Sequence, residues 1–245
     1  MALRGKFKGF SQAGLDFYAQ LARHNRREWF AEHKEVYERE VLEPARALVD
    51  DLGRSLAKVA PGLHAEPKVN RSIFRIQRDI RFSADKSPFK THLGLWLWEG
   101  EGPRMECSGF YFQMEPPRIM VAAGMYVFPR RLLGPFRQAV ADDKLGPALT
   151  RALQPGLSQG LYDLGGRHYA RVPRGLDPGH PRADLLRHNG LYVFHESGFI
   201  EELHSPALVE WCRERYAAMV PMHRWLRELC QSHLPEIEPG PWPDL

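Results

Sequence analysis

The sequence predicts an α+β fold: an antiparallel β-meander sheet flanked by N-terminal and C-terminal helices. Three observations predict it. Apolar residues recur at helical spacing through the first quarter of the chain, then alternate with polar ones in short runs, then return to helical spacing after Pro129. The connections between the short runs hold only a few residues, rich in Gly and Pro, and parallel neighbours would need crossovers of a dozen or more. Helices bracket the strands rather than alternate with them, which separates α+β from α/β.

In order along the chain, Ser11 is placed to N-cap a first helix to Arg23, with Leu15, Tyr18 and Leu21 on one face. Asn25 followed by Glu28 has the spacing of a capping box and opens a second helix from Arg26. Pro44 should end or kink that helix, and a third runs to about Val59 before Pro61-Gly62. Strands are predicted over 72–82, 93–98, 108–114 and 119–126, with Gly100-Glu101-Gly102-Pro103 and Pro116-Pro117 as turns between the later ones. Helices follow over 130–141 and 145–153, then a Gly- and Pro-rich loop over 155–181 and a late strand over 191–195. Ser205-Pro206 is a strong helix start, and closing helices are predicted over 207–219 and 222–233. The whole chain, 1–245, reads as one domain: helical over 11–59, β-meander over 70–126, and helices with a long loop and late strand over 130–233.

The formal net charge is +4 over 245 residues, and it is concentrated. Residues 68–92 hold seven cations (Lys68, Arg71, Arg75, Arg78, Arg81, Lys86, Lys90) against two acids (Asp79, Asp85), a net +5, so the remainder carries −1. On a strand over 72–82, Arg75, Gln77, Asp79 and Arg81 share one face, and Phe74, Ile76, Ile80 and Phe82 the other. An acid between two arginines holds their guanidinium forks while leaving donors free for an anion. Arg78 falls on the apolar face, where it must snorkel or pair. The donor-rich loop that follows brings Ser83, Lys86, Lys90 and His92.

The expected site is therefore a pocket for a phosphate- or carboxylate-bearing small molecule, held by Arg75, Arg78, Arg81, Ser83, Lys86, Lys90 and His92. Surface pairing of these arginines with Glu35, Glu38 or Glu40 is the plainer alternative. An enzyme acting on a phosphorylated or acidic substrate, hydrolase- or transferase-like, would draw on Asp79, Asp85 and His92 as acid, base or metal ligand. Nucleic-acid binding through the same strands is a third reading, weakened by the −1 remainder.

The segment Arg75-Ile76-Gln77-Arg78-Asp79-Ile80-Arg81-Phe82-Ser83-Ala84-Asp85-Lys86-Ser87-Pro88-Phe89-Lys90-Thr91-His92 resembles the hallmark of the domain of unknown function 2461 family of conserved hypothetical proteins. Residues 10–17, the 25–30 run with Arg27, Trp29 and Lys34, Gly109-Phe110-Tyr111-Phe112, and Leu176-Asp177-Pro178-Gly179-His180-Pro181 resemble it too. Gln77 stands where the family tends to have an aromatic residue, and Ala84 where it often has lysine. The resemblance implies an α+β domain of bacteria and fungi and carries no catalytic residue.

Other chemistry is thin. Trp96 and Trp98 share a strand face and read as core more readily than as stacking platforms. None of the eleven histidines shows metal-site spacing, so no metal is expected, and no nucleotide or hydrolase motif calls for a cofactor. Cys107 reads as a structural thiol. The 155–181 loop, with Arg167, His168, Tyr169, Arg171 and Arg174 in or beside its core, is a lid over the anion or a surface wrap. The basic start of the chain has no apolar stretch behind it, apolar runs such as 119–123 are too short to span a bilayer, and three scattered cysteines form no disulfide framework. A cytoplasmic protein without membrane partners is expected.

Overall fold

A computed structural model describes residues 6–233; the first five residues, at the basic start of the chain, and those beyond 233 lie outside it. Helix α1 spans Gln12–Arg23, and Ser11 caps it by accepting a hydrogen bond from the Gly14 amide (3.2 Å). A short α2 (Arg27–Glu32) leads through α3 (Lys34–Val36) and a π-helical turn (Tyr37–Leu42) into α4 (Glu43–Leu56). Pro44 thus sits at the first turn of α4, where its missing N–H is tolerated, and the chain runs on as a rod rather than breaking.

Strands β1 (Leu63–His64), β2 (Leu93–Glu99), β3 (Gly109–Glu115), β4 (Arg118–Met125), β5 (Asp163–Arg167) and β6 (His188–Gly198) form one sheet in the order β1-β2-β3-β4-β6-β5, each pair antiparallel. Between β4 and β5 lie α5 (Arg130–Ala141) and α6 (Leu145–Ser158), and α7 (Ala207–Gln231) closes the described chain. Period-two alternation sorts each central strand between two faces. Leu95, Leu97, Phe110, Phe112, Val121 and Val193 point to the helices and join the main core with Leu48, Leu52, Tyr216 and Met219. The opposite face carries Trp96, Trp98, Tyr111, Met120, Tyr192 and Phe194. There Trp96, Trp98 and Cys107 bury one another in a second, smaller apolar cluster.

Four features depart from the expectation. No strand covers 72–82: Ile73 makes one rung with Leu95, the chain then leaves the sheet, and Gln77 bridges Phe89. The Phe74 amide still donates to Gly94 (3.0 Å), but the Arg78 amide donates to Pro88 (2.9 Å), so the segment folds back on itself. Its alternation loses its match to burial at Phe82, which is 96% exposed. Asn25 does not close a capping box: its amide brackets the Phe89 backbone, accepting from the amide (3.0 Å) and donating to the carbonyl (2.9 Å). Helix α6 runs through Pro155, and β5 lies where a loop was expected. Gly165-Gly166 hides β5 because it supplies no apolar alternation; a Cβ on Gly165 would lie 2.2 Å from the Tyr192 ring, so glycine there lets Tyr192 cross the strand. Finally, α7 is one helix with Pro221 inside it, held by burial of Met219, Met222, His223 and Leu226 on both sides of the break.

Candidate functional site: a cavity on the outer face of the sheet

The cationic segment is anchored at both ends. Phe89 is pinned by Asn25 and stacked on Phe30 of α2, with centroids 4.4 Å apart. The Lys90 amide donates to Ile76 (2.8 Å). Between these points the loop is closed by its own charges. Arg81 grips Asp79 through Nε (3.0 Å) and Nη2 (2.7 Å), and Arg78 pairs with Asp85 while donating to the Ser87 carbonyl (3.2 Å) and the Ser83 hydroxyl (3.4 Å). Lys86 donates to the Ile80 carbonyl (2.9 Å). Hydrogen bonds from Arg81 hold Asp79 down at about 2, and those from Ser87, then Arg78, do the same for Asp85. Carboxylates of that acidity are weak bases.

Folded this way, the segment roofs one side of a cavity of about 720 Å³ on the outer face of the sheet. Its walls are aromatic and aliphatic: Phe74 from the segment, Trp96 from β2, Tyr111 from β3, Met120 from β4, and Tyr192 and Phe194 from β6. Lys90, His92 and Gln113 join them, and Tyr111 and Tyr192 bring phenol hydroxyls as well as rings. Few convergent polar groups on an apolar wall is the usual make-up of a small-molecule site.

These polar groups fall into two sets. Along β3 the bonds are used internally: Tyr111 Oη donates to Gln113 Oε1 (2.8 Å), Gln113 Nε2 donates to Glu115 Oε2 (2.8 Å), and Thr91 donates to the same carboxylate (3.4 Å). Burial pushes the Tyr111 phenol well up, so it stays protonated as a donor. Lys90, by contrast, has no ion pair among the described residues. Its Nζ lies 5.1 Å above the Phe74 ring, whose centroid also carries the Arg104 guanidinium at 4.6 Å. Burial, then the charges of Arg75 and Arg104, lower the Lys90 amine from its ordinary value. Burial lowers His92 also; Glu115 opposes that and Lys90 adds to it.

Of the residues expected to meet a ligand, Lys90 and His92 line the cavity; Arg75 lies beside it, close enough to act on Lys90. Arg78, Arg81, Ser83 and Lys86 are engaged within the loop, and Asp79 and Asp85 with them. Among the described residues, no group of three or more His, Cys, Asp or Glu stands close enough to hold a metal ion. Tyr111, Gln113, Met120, Tyr192 and Phe194 escaped the sequence reading. Their signal was parity: in 109–115 the polar and aromatic Tyr111, Gln113 and Glu115 alternate with Phe110, Phe112 and Met114. The 155–181 stretch, expected as a lid or a wrap, contributes nothing to the cavity wall; just beyond it Arg182 donates to the carbonyls of Val140 (2.6 Å) and Asp142 (3.1 Å) at the end of α5.

A second polar cluster lies within the protein. Ser108 Oγ meets His223 Nδ1 (2.8 Å), His223 Nε2 meets Glu99 Oε2 (2.8 Å), and Arg227 donates to Glu99 Oε1 (2.9 Å). The residue types are those of a serine-hydrolase triad, but Ser108 and His223 are 0% exposed and Glu99 2%, so no substrate reaches the hydroxyl. Burial alone would raise Glu99; hydrogen bonds from His223 and Arg227 win and bring it to about 2. This cluster ties α7 to the ends of β2 and β3.

No helix among the described residues is long and apolar enough to cross a membrane. Comparison with the curated proteins and with the solved structures returns no match. The sequence model of the family described as "Conserved hypothetical protein (DUF2461)" matches residues 13–225. That span contains every wall of the cavity and the whole cationic loop, and the chain belongs to the DUF2461 family.

Proposed function

We propose that the chain acts as one α+β domain that binds a small molecule with a flat apolar body and one anionic group, phosphate or carboxylate. The observation that carries this reading is an apolar cavity whose edge holds a lysine that no acid among the described residues neutralises. The aromatic walls suit the body by stacking and burial, and Lys90, with Arg75 and Arg104 beside it, suits the anion. His92 and the Gln113 carboxamide would orient it, while Arg78, Arg81, Ser83 and Lys86 shape the loop. Three buried free cysteines accord with a reducing, cytoplasmic setting.

The test uses 8-anilino-1-naphthalenesulfonate (ANS), which joins a flat apolar body to an anion, and N-phenyl-1-naphthylamine, which lacks the anion. ANS should bind one to one, and Lys90→Gln should weaken it roughly tenfold, the worth of one charge-assisted hydrogen bond, while affecting the neutral probe far less. Non-saturable ANS binding, or equal losses for both probes, would contradict the reading.

A further inference from the structure

Lys90 is set apart from every other lysine in the described chain. Lys6, Lys8, Lys34, Lys58, Lys68, Lys86 and Lys144 are exposed to solvent; Lys90 is half-buried. Lys86, four residues earlier, spends its amine on the Ile80 carbonyl, and Lys34 pairs with Glu38. The Lys90 amine has neither kind of partner. It faces an apolar cavity, over the Phe74 ring, and its charged neighbours on the segment and on the Arg104–Glu106 turn, Arg75 and Arg104, are both cations. His92 stands in the same cavity, with Glu115 of β3 acting on it. A lysine that is desolvated and flanked by cations is the environment that frees an amine to act as a nucleophile.

We infer that Lys90 condenses with an aldehyde carried by the ligand of this cavity, forming an imine. The inference rests on the cavity being a ligand site, as proposed above. In the step, the Nζ lone pair attacks the carbonyl carbon to give a carbinolamine. Nitrogen then sheds its remaining proton as the C–O bond breaks, C=N forms, and the oxygen leaves as water. Burial of His92 favours its neutral form, which lets the imidazole take the proton that nitrogen loses and return it to the departing hydroxyl. The ligand class is thus an aryl or other flat aldehyde bearing an anionic group, whose anion rests on Arg75 and Arg104 once Lys90 has lost its proton and turned to the carbonyl. The conditions that lower the Lys90 amine also raise the fraction available for attack at neutral pH.

The experiment treats the full chain with 4-formylbenzoate and sodium cyanoborohydride and locates the reduced adduct by mass spectrometry. Labelling at Lys90 should exceed that at Lys86 and Lys68 by about tenfold or more, since only Lys90 is desolvated. 4-Methylbenzoate, which has no aldehyde, should protect Lys90 in the wild-type protein, and Lys90→Arg should abolish the preferred adduct with the circular dichroism spectrum unchanged. Displacement of ANS by 4-formylbenzoate with labelling spread evenly over the lysines would overturn the amine's role and leave the cavity reading standing. No displacement of ANS by either benzoate, with no preferred adduct, would overturn both.

Discussion

The two faces of the central sheet use polar groups in opposite ways. On the helix-covered face, Glu99, His223 and Ser108 are sealed away and bonded to one another, with half-buried Arg227 donating to Glu99. On the outer face, Lys90 and His92 border a cavity, and Lys90 meets no acid among the described residues. The comparison teaches that residue types alone are a poor guide to chemistry. The cluster with a triad's composition is a tie between elements, because a buried charge is tolerated only when fully paired. The unpaired lysine is the costly arrangement, and a cost carried at a cavity wall points to function.

Breaking the inner tie should have the largest effect. Glu99→Ala leaves His223 without its acceptor and Arg227 without its partner, and should lower unfolding stability by about 3–5 kcal/mol in urea titrations. The pH dependence has a definite sign. Glu99 ionises at about 2 in the folded protein against an ordinary 4.5, so its contribution is complete above 4.5 and is lost as pH falls from there through 2. The stability gap between wild type and Glu99→Gln should close over that window.

On the outer face the sign reverses. Lys90→Met removes a half-buried, unpaired cation and should stabilise the fold by about 0.5–2 kcal/mol while weakening the preference for anionic probes about tenfold. Because the Lys90 amine is lowered in the fold, the unfolded chain binds its proton more tightly, and the penalty applies at neutral pH. The advantage of Lys90→Met should therefore shrink as pH rises toward 10.5. A destabilised Lys90→Met would show that the amine has a partner of structural weight. The smallest effect belongs to the loop's clips: Asp79→Asn, at an exposed and solvent-screened pair, should leave the urea unfolding midpoint almost unchanged.

Much of the architecture was legible in the sequence because it follows from periodicity. Ser11 caps as expected, and the strands expected over 108–114 and 119–126 match β3 and β4 to within a residue. What misled was alternation without pairing: Ile76, Ile80 and Phe82 keep the spacing of a strand, but only the stretch around Ile73 reaches β2, and Phe82 is exposed although Ile76 is buried. Gly165-Gly166 erred the other way, making a strand from backbone pairing with no side-chain pattern to reveal it. The charge count of 68–92 found the right segment, and within it could not separate Lys90 from Arg78 or Arg81. That separation depends on where Asp79 and Asp85 fold back, which is a tertiary fact.

The most direct test of the central claim locates the probe on the sheet. Two-dimensional ¹H–¹⁵N spectra of the full chain titrated with ANS should shift the Trp96 indole and the amides of Lys90, Gln113 and Tyr192, leaving Ser108, Glu99 and the Trp225 indole in place. Shifts centred on the inner-face residues, or on the exposed Phe82 with Trp96 unmoved, would contradict the account.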